Sequence, residues 1–207
     1  MAQKEDFCFI PADQWKAVWE IAKKEMGEGA YLIAEGASSE AALAGAASLM
    51  LDILRNEKEE KLAFEHIFVD AGTGMSAIAL ILAHASLKHH SQIHVVTMAG
   101  DEAYFLAELN KYQLIWQKLF DETLSKIPQP HLYFPLSAKS FGSINRQLLG
   151  FIQKMAKKEG LLLDPVYNAK LFQKAFDLIE KNQLKGDICI LHSGGGSGLM
   201  GFAERLE

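Results

Sequence analysis

Cysteine is almost absent from this chain. There are two in 207 residues, Cys8 and Cys189, both alternating with apolar residues in short strand-like runs. A disulfide framework is excluded, and buried free thiols are expected in place of a bridge or a metal site. Long hydrophobic runs are also missing. The longest, Ala77 to Ala83, is far too short to cross a bilayer, and no basic-then-apolar leader opens the chain, so a cytoplasmic protein with no membrane partner is expected. Basic residues are in the minority, 21 Lys and Arg against 26 Asp and Glu, and they are scattered or paired with acids, as in Arg55 to Lys61. Without a clustered basic face, nucleic-acid binding is excluded. Four histidines, His84, His89, His90 and His94, spread over an expected helix end, turn and strand with no Cys or carboxylate at ligand spacing, and no metal is expected there.

What is present is an ordinary globular composition, 49% apolar and 23% charged, in a chain long enough for one well-packed domain. A single domain over 1–207 is expected. The hydrophobic period alternates between strand and helix along the chain. Strands are expected over Phe7 to Ile10, Ala30 to Ala34, His66 to Ala71, Gln92 to Met98, Leu132 to Phe134 and Asp187 to His192. Helices are expected after Pro11, over Glu40 to Arg55, Met75 to Leu87, Asp101 to Ser125, Ser143 to Lys158 and Asn168 to Lys181. Such alternation predicts an α/β fold, a mostly parallel sheet flanked by helices.

Three loops fall at the carboxyl ends of expected strands, where open parallel sheets bind ligands. Gly72-Thr73-Gly74-Met75-Ser76 joins a strand to a helix, and its backbone N–H groups with the helix N-terminus suit a phosphate. Ser193 opens a run of small residues, Ser193 to Gly198, with room for a flat ligand and a hydroxyl at its edge. Asp164-Pro165-Val166-Tyr167-Asn168 fixes the chain before a helix, so that the Tyr167 phenol can project into a crevice. Glu35, at a strand end before Gly36, is a candidate catalytic acid without a second carboxylate placed to work with it.

Four ordered motifs give these loops a family likeness: Ile33-Ala-Glu-Gly-Ala37, Gly72-Thr-Gly-Met-Ser76, Leu163-Asp-Pro-Val-Tyr-Asn-Ala-Lys170 and His192-Ser-Gly-Gly195. Together they resemble the 1-aminocyclopropane-1-carboxylate deaminase and D-cysteine desulfhydrase family, pyridoxal 5'-phosphate (PLP) enzymes of the tryptophan synthase beta-like fold. The resemblance implies the C-terminal portion of that fold, with about residues 1–30 a remnant of the family's smaller domain. It implies that Gly72, Thr73, Gly74, Met75 and Ser76 hold the cofactor phosphate, that Ser193 places its hydroxyl near the pyridine nitrogen, and that Tyr167 is a catalytic phenol near a small amino-acid substrate. It also implies a homo-oligomer.

The likeness carries three departures. Phe141 stands where the family has a second active-site tyrosine, and Met75 replaces a phosphate-loop glycine, which implies strain wherever that glycine takes a positive φ. The family's Schiff-base lysine lies in an early Asn-Lys motif before anything this chain aligns to, and Lys139 is the lysine that falls nearest the crevice. The expectation is thus an N-terminally truncated homologue, inactive alone. The alternatives are a non-catalytic binding or scaffold protein, or one half of a split enzyme whose partner chain supplies the missing half. A further alternative is an S-adenosylmethionine methyltransferase, because Phe68-Val-Asp-Ala-Gly-Thr-Gly74 also looks like the first glycine motif of that class.

Overall fold

The computed structural model describes residues 9–202, and the chain divides into two compact units between Ala34 and Glu35. In the first, Pro11 fixes the chain and accepts from Gln14 N at 2.9 Å, opening a 3-10 turn over Ala12–Ala17 that runs into α1, Val18–Glu25. The strand expected over Phe7 to Ile10 falls partly outside the described residues, and Phe9 and Ile10 are irregular. The strand expected over Ala30 to Ala34 is also irregular, with Tyr31 81% and Ile33 71% exposed. A short apolar run becomes a strand only where a neighbour takes up its backbone groups, and here no ladder forms.

The second unit is built on four parallel strands in the order β3-β2-β1-β4: β1 Phe64–Ala71, β2 Gln92–Thr97, β3 His131–Tyr133 and β4 Asp187–Ile190. The parallel α/β architecture expected from the alternating pattern is the one observed. Helices α2 Glu40–Glu60, α3 Met75–Ser86, α4 Glu102–Phe120, α5 Arg146–Glu159, α6 Asn168–Asn182 and the short α7 Gly196–Met200 complete it. Successive strand residues point to opposite faces. Ile67, Val69, Ala71, Ile93 and Val95 pack with α2, α3 and α4, whereas Phe68, Val96 and Met98 pack with α5 and α6. α3 is buried from Ala77 through His84 because the sheet and two helices surround it, which is why its sequence is apolar on every side.

Boundaries follow local chemistry. Ser39, Asp101 and Asn145 cap α2, α4 and α5 by accepting from Ala42 N, Tyr104 N and Leu148 N, each cap contributing about 1 kcal/mol. α2 runs beyond the expected Arg55, through the charged Glu57 to Glu60, and stops at Lys61 in the left-handed region. The helix keeps going because Glu57 has work at its end: it accepts from Phe64 N at 2.7 Å and pairs with His89 at 3.0 Å.

The strand order positions the site. The chain moves outward from β1 to β2 to β3, then returns to the other side of β1 with β4. The carboxyl end of β1, flanked by β2 and β4, therefore lies where the winding reverses, the place where open α/β sheets receive ligands.

Candidate functional site

A cavity of about 500 Å³ opens at the carboxyl ends of β1 and β2. Gly72 to Ser76 line one wall, Ala99, Gly100 and Tyr104 another, and Glu35, Gly36, Asp70, Phe141 and Tyr167 the rest. Every residue of the expected phosphate loop and the expected phenol therefore face one space.

The loop turns at Gly74, whose φ is 92°, and Ile78 N closes the first helical bond on Gly74 O at 2.8 Å. Gly74 supplies no side-chain cap, leaving the first-turn N–H groups of α3 and the positive end of its dipole directed at the cavity rim. Met75 does not carry the strain expected of it. It is the first residue of the helix, the left-handed turn is taken by Gly74, and the Met75 side chain is buried in the core behind the loop. A side chain at this position costs the loop none of its N–H groups. Thr73 is held from the side, where its hydroxyl accepts from Ser38 Oγ at 2.9 Å.

Tyr167 lies flat against this loop. A Cβ on Gly72 would stand 3.0 Å from Tyr167 Cε1 and 3.2 Å from its hydroxyl, so the absence of a side chain at Gly72 is what admits the ring. Burial, followed by the nearby carboxylates of Asp70, Asp164 and Glu35, pushes the phenol above its usual range and keeps it protonated, a hydrogen-bond donor, at neutral pH. The Phe141 ring meets it edge-on at 6.0 Å.

Asp164 organises the turn that presents Tyr167. Its Oδ1 accepts from Val166 N at 2.9 Å and Tyr167 N at 2.8 Å, and its Oδ2 from Asn168 N at 2.9 Å, so a single carboxylate caps the start of α6. Asn168, fully buried, donates from Nδ2 to Asp164 Oδ2 and to Gly194 O. Its Oδ1 accepts from Ser193 N at 3.0 Å. Ser193 Oγ lies 3.3 Å from Asn168 Oδ1 and 3.2 Å from Asp70 Oδ1, sharing one proton between them. An unbroken hydrogen-bonded chain, Asp164 to Asn168 to Ser193 to Asp70, thus ties the β4–α7 loop to the tip of β1. Ser193 does not itself line the cavity but reaches it through Asp70, which does.

Asp70 and Asn168 are site residues beyond those expected from the sequence. Asp70 has a legible signal, a lone acid at the end of an apolar strand and directly before Ala-Gly-Thr-Gly. It also corrects the view that Glu35 has no second carboxylate, since both acids line the same cavity. Burial pushes the Asp70 carboxyl up to about 6, opposed by the bond from Ser193 and reinforced by Asp164.

Among the described residues, no lysine lines the cavity. Lys139 is exposed. Lys170 is 1% exposed inside α6 and donates to Ser140 O at 3.1 Å, which pins the segment bearing Phe141. Asp101, late for a ribose-binding acid, is engaged in capping α4. Cys189 is half-buried, its thiol pushed up to about 11 by burial and then by Glu57; Cys8 lies outside the described residues. No group of three or more His, Cys, Asp or Glu is arranged to hold a metal among the described residues, and none of their helices is long and apolar enough to cross a membrane.

Comparison with known proteins finds relatives by sequence and by fold. The chain is 26% identical over 196 residues to a Pyrococcus abyssi protein provisionally named a 1-aminocyclopropane-1-carboxylate deaminase, covering 92% of this chain and 58% of that one. It is 24% identical to D-cysteine desulfhydrase of Serratia proteamaculans, covering 85% and 53%. The crystal structure of an ACC deaminase homologue superposes with a TM-score of 0.79 at 26% identity, covering 94% of this chain and 58% of that one. No family model matches. The chain spans about half the length of the curated relatives it matches.

Proposed function

We propose that this homologue of aminocyclopropane-carboxylate deaminases and D-cysteine desulfhydrases binds PLP, or a vitamer of it, in the cavity at the β1 and β2 strand ends. The observation that carries the reading is the polarity of that cavity. Uncapped N–H groups at the start of α3 line one part of it, and Asp70, bonded from behind by Ser193, stands at another. A ligand that is anionic at one end and carries a basic ring nitrogen at the other matches this arrangement. The Gly72 position supports the fit, because a cradle left open by a missing Cβ lets Tyr167 close against the loop.

In this reading Gly72 to Ser76 bind the phosphate, Ser193 orients the ring, and Tyr167 holds a proton next to the substrate position. When bound, the group supplies an electron sink for bonds broken at the α-carbon of an amino acid. Among the described residues no lysine lines the cavity to anchor it or to move the α-proton. We therefore propose that the chain alone binds the cofactor without turning over a small amino acid. Turnover requires an amine brought to the cavity by further polypeptide, within a longer protein, a homo-oligomer or a separate partner chain.

The test is isothermal titration with pyridoxine 5'-phosphate, which has no aldehyde and so cannot label surface lysines. Saturable binding near one ligand per chain is expected, with phosphate-free pyridoxine binding at least tenfold more weakly. Gly72→Val, which drives a side chain into Tyr167, should weaken binding by a similar factor. Equal affinity for pyridoxine and its phosphate contradicts the assignment of the Gly72 to Ser76 loop.

A further inference from the structure

We infer that Asp70, together with the Ser193 hydroxyl, forms an acidic subsite that receives a protonated ring nitrogen, so that the cavity selects the cationic form of a heteroaromatic ligand. This rests on the proposed PLP-type binding and adds a residue that the family motifs did not assign.

Four observations support it. Asp70 lines the cavity, and its Oδ1 accepts from Ser193 Oγ at 3.2 Å, a long contact whose proton is shared with Asn168. Neighbouring strands place the two residues together: Leu191 N donates to Phe68 O at 2.9 Å, which carries the chain after β4 past the tip of β1. Asp70 belongs to the alternating set with Phe68, on the face of the sheet that packs against α6. The titratable groups around it are Asp164 and Tyr167 from the α6 turn, Glu35 across the cavity and His192 after β4, and among the described residues no lysine lines the cavity beside it. Asp164 is the capping carboxylate of α6. The His192 ring is held by its own loop, its Nε2 lying 3.1 Å from Leu162 O while Nδ1 accepts from Gly194 N at 3.2 Å.

The carboxylate is thus half-buried with no lysine lining its cavity among the described residues, and Asp164 already adds like charge. A protonated ring nitrogen entering beside Ser193 would supply a direct countercharge and a further donor. Burial and the neighbouring acid hold the free carboxyl up to about 6, which the arriving cation would reverse. A hydroxyl alone accepts or donates with little preference for the ring's charge. A carboxylate does prefer it, and a ring held protonated is the stronger electron sink.

The experiment follows the ring-protonation band of pyridoxine 5'-phosphate in the near ultraviolet, free and bound, from pH 5.5 to 9, with wild type and Asp70→Asn. In the wild type the bound ring should keep its proton to a pH at least one unit higher than the free ligand. Asp70→Asn, nearly isosteric and able to accept from Ser193, should abolish that shift and lose about tenfold in affinity at pH 8. The inhibition constant of inorganic phosphate as competitor should stay unchanged, which separates the subsite from the phosphate loop and reports a folded protein. A bound ring that titrates identically in both proteins overturns this inference while leaving the proposed function standing. Failure of the wild type to bind pyridoxine 5'-phosphate at all overturns both.

Discussion

Asn168→Ala should be among the most damaging single changes to the site, although its side chain does not line the cavity. The substitution removes the Nδ2 bonds to Asp164 Oδ2 and Gly194 O and the Oδ1 acceptor for Ser193 N and Oγ. The backbone bond from Asn168 N to Asp164 Oδ2 at 2.9 Å survives. Ser193 is exposed and can turn to solvent, so the cost falls on the bonds inside the turn. At about 1 kcal/mol for each net bond, more where a buried partner is left unsatisfied, the loss is roughly 2–4 kcal/mol. For a domain of this size that lowers the melting temperature by roughly 4–16 °C. Calorimetry or urea unfolding reads the change. Asn168→Asp sharpens the test by setting a second carboxylate against Asp164. At pH 7 it should be at least as destabilised as the alanine variant, and it should recover as pH falls and the pair shares a proton. If Asn168→Ala unfolds within about 0.5 kcal/mol of wild type, the hydrogen-bonded chain from Asp164 to Asp70 does not hold the site.

Further predictions concern charge. His94 is buried, stacked 4.3 Å from Phe68 and 3.0 Å from His66 through their ring nitrogens, and burial with the neighbouring His131 and His66 holds it down to about 4 from a usual 6.5. Between those values the unfolded chain binds the proton and the folded chain does not, so stability is lost as pH falls from about 6.5 to 4. In His94→Phe the urea midpoint should depend less on pH across that window, and an unchanged slope refutes this origin. Asp70 works in the opposite direction. Its folded value of about 6 lies above the usual 3.8, so its neutral form stabilises the fold and ionisation costs stability as pH rises through that range. Asp70→Asn should therefore melt higher than wild type at pH 7.5 in the absence of ligand; a lower melting temperature would show that the charge is compensated.

Much of this was readable from the chain. The period changes between strands and helices gave the parallel α/β fold, because segments such as Ile67 to Val69 and Ala77 to Ala83 are apolar on both faces only when sheet and helices sandwich them. The loop from Gly72 to Ser76 and the Tyr167 turn were found by turn chemistry, which is local. What escaped was non-local. The apolar run from Ala30 to Ala34 looked like a strand because its pattern cannot report the lack of a pairing partner. Asn168 and Ser193 are 25 positions apart and Asp70 and Ser193 are 123, and only the β1–β4 pairing makes them neighbours. Met75 was misread for a related reason: which residue of a glycine loop takes the positive φ is decided by where the helix begins, here one residue later than Gly74.

The proposed cavity holds a PLP-type ligand with no lysine among the described residues lining it. The most direct measurement incubates the purified chain with PLP, determines the amount bound at equilibrium dialysis, then reduces with borohydride and maps adducts by peptide mass. The account predicts close to one PLP bound per chain before reduction and only scattered, substoichiometric surface labelling after it. A stoichiometric adduct on one lysine, Lys139 or Lys170, would contradict it, as would the absence of saturable binding.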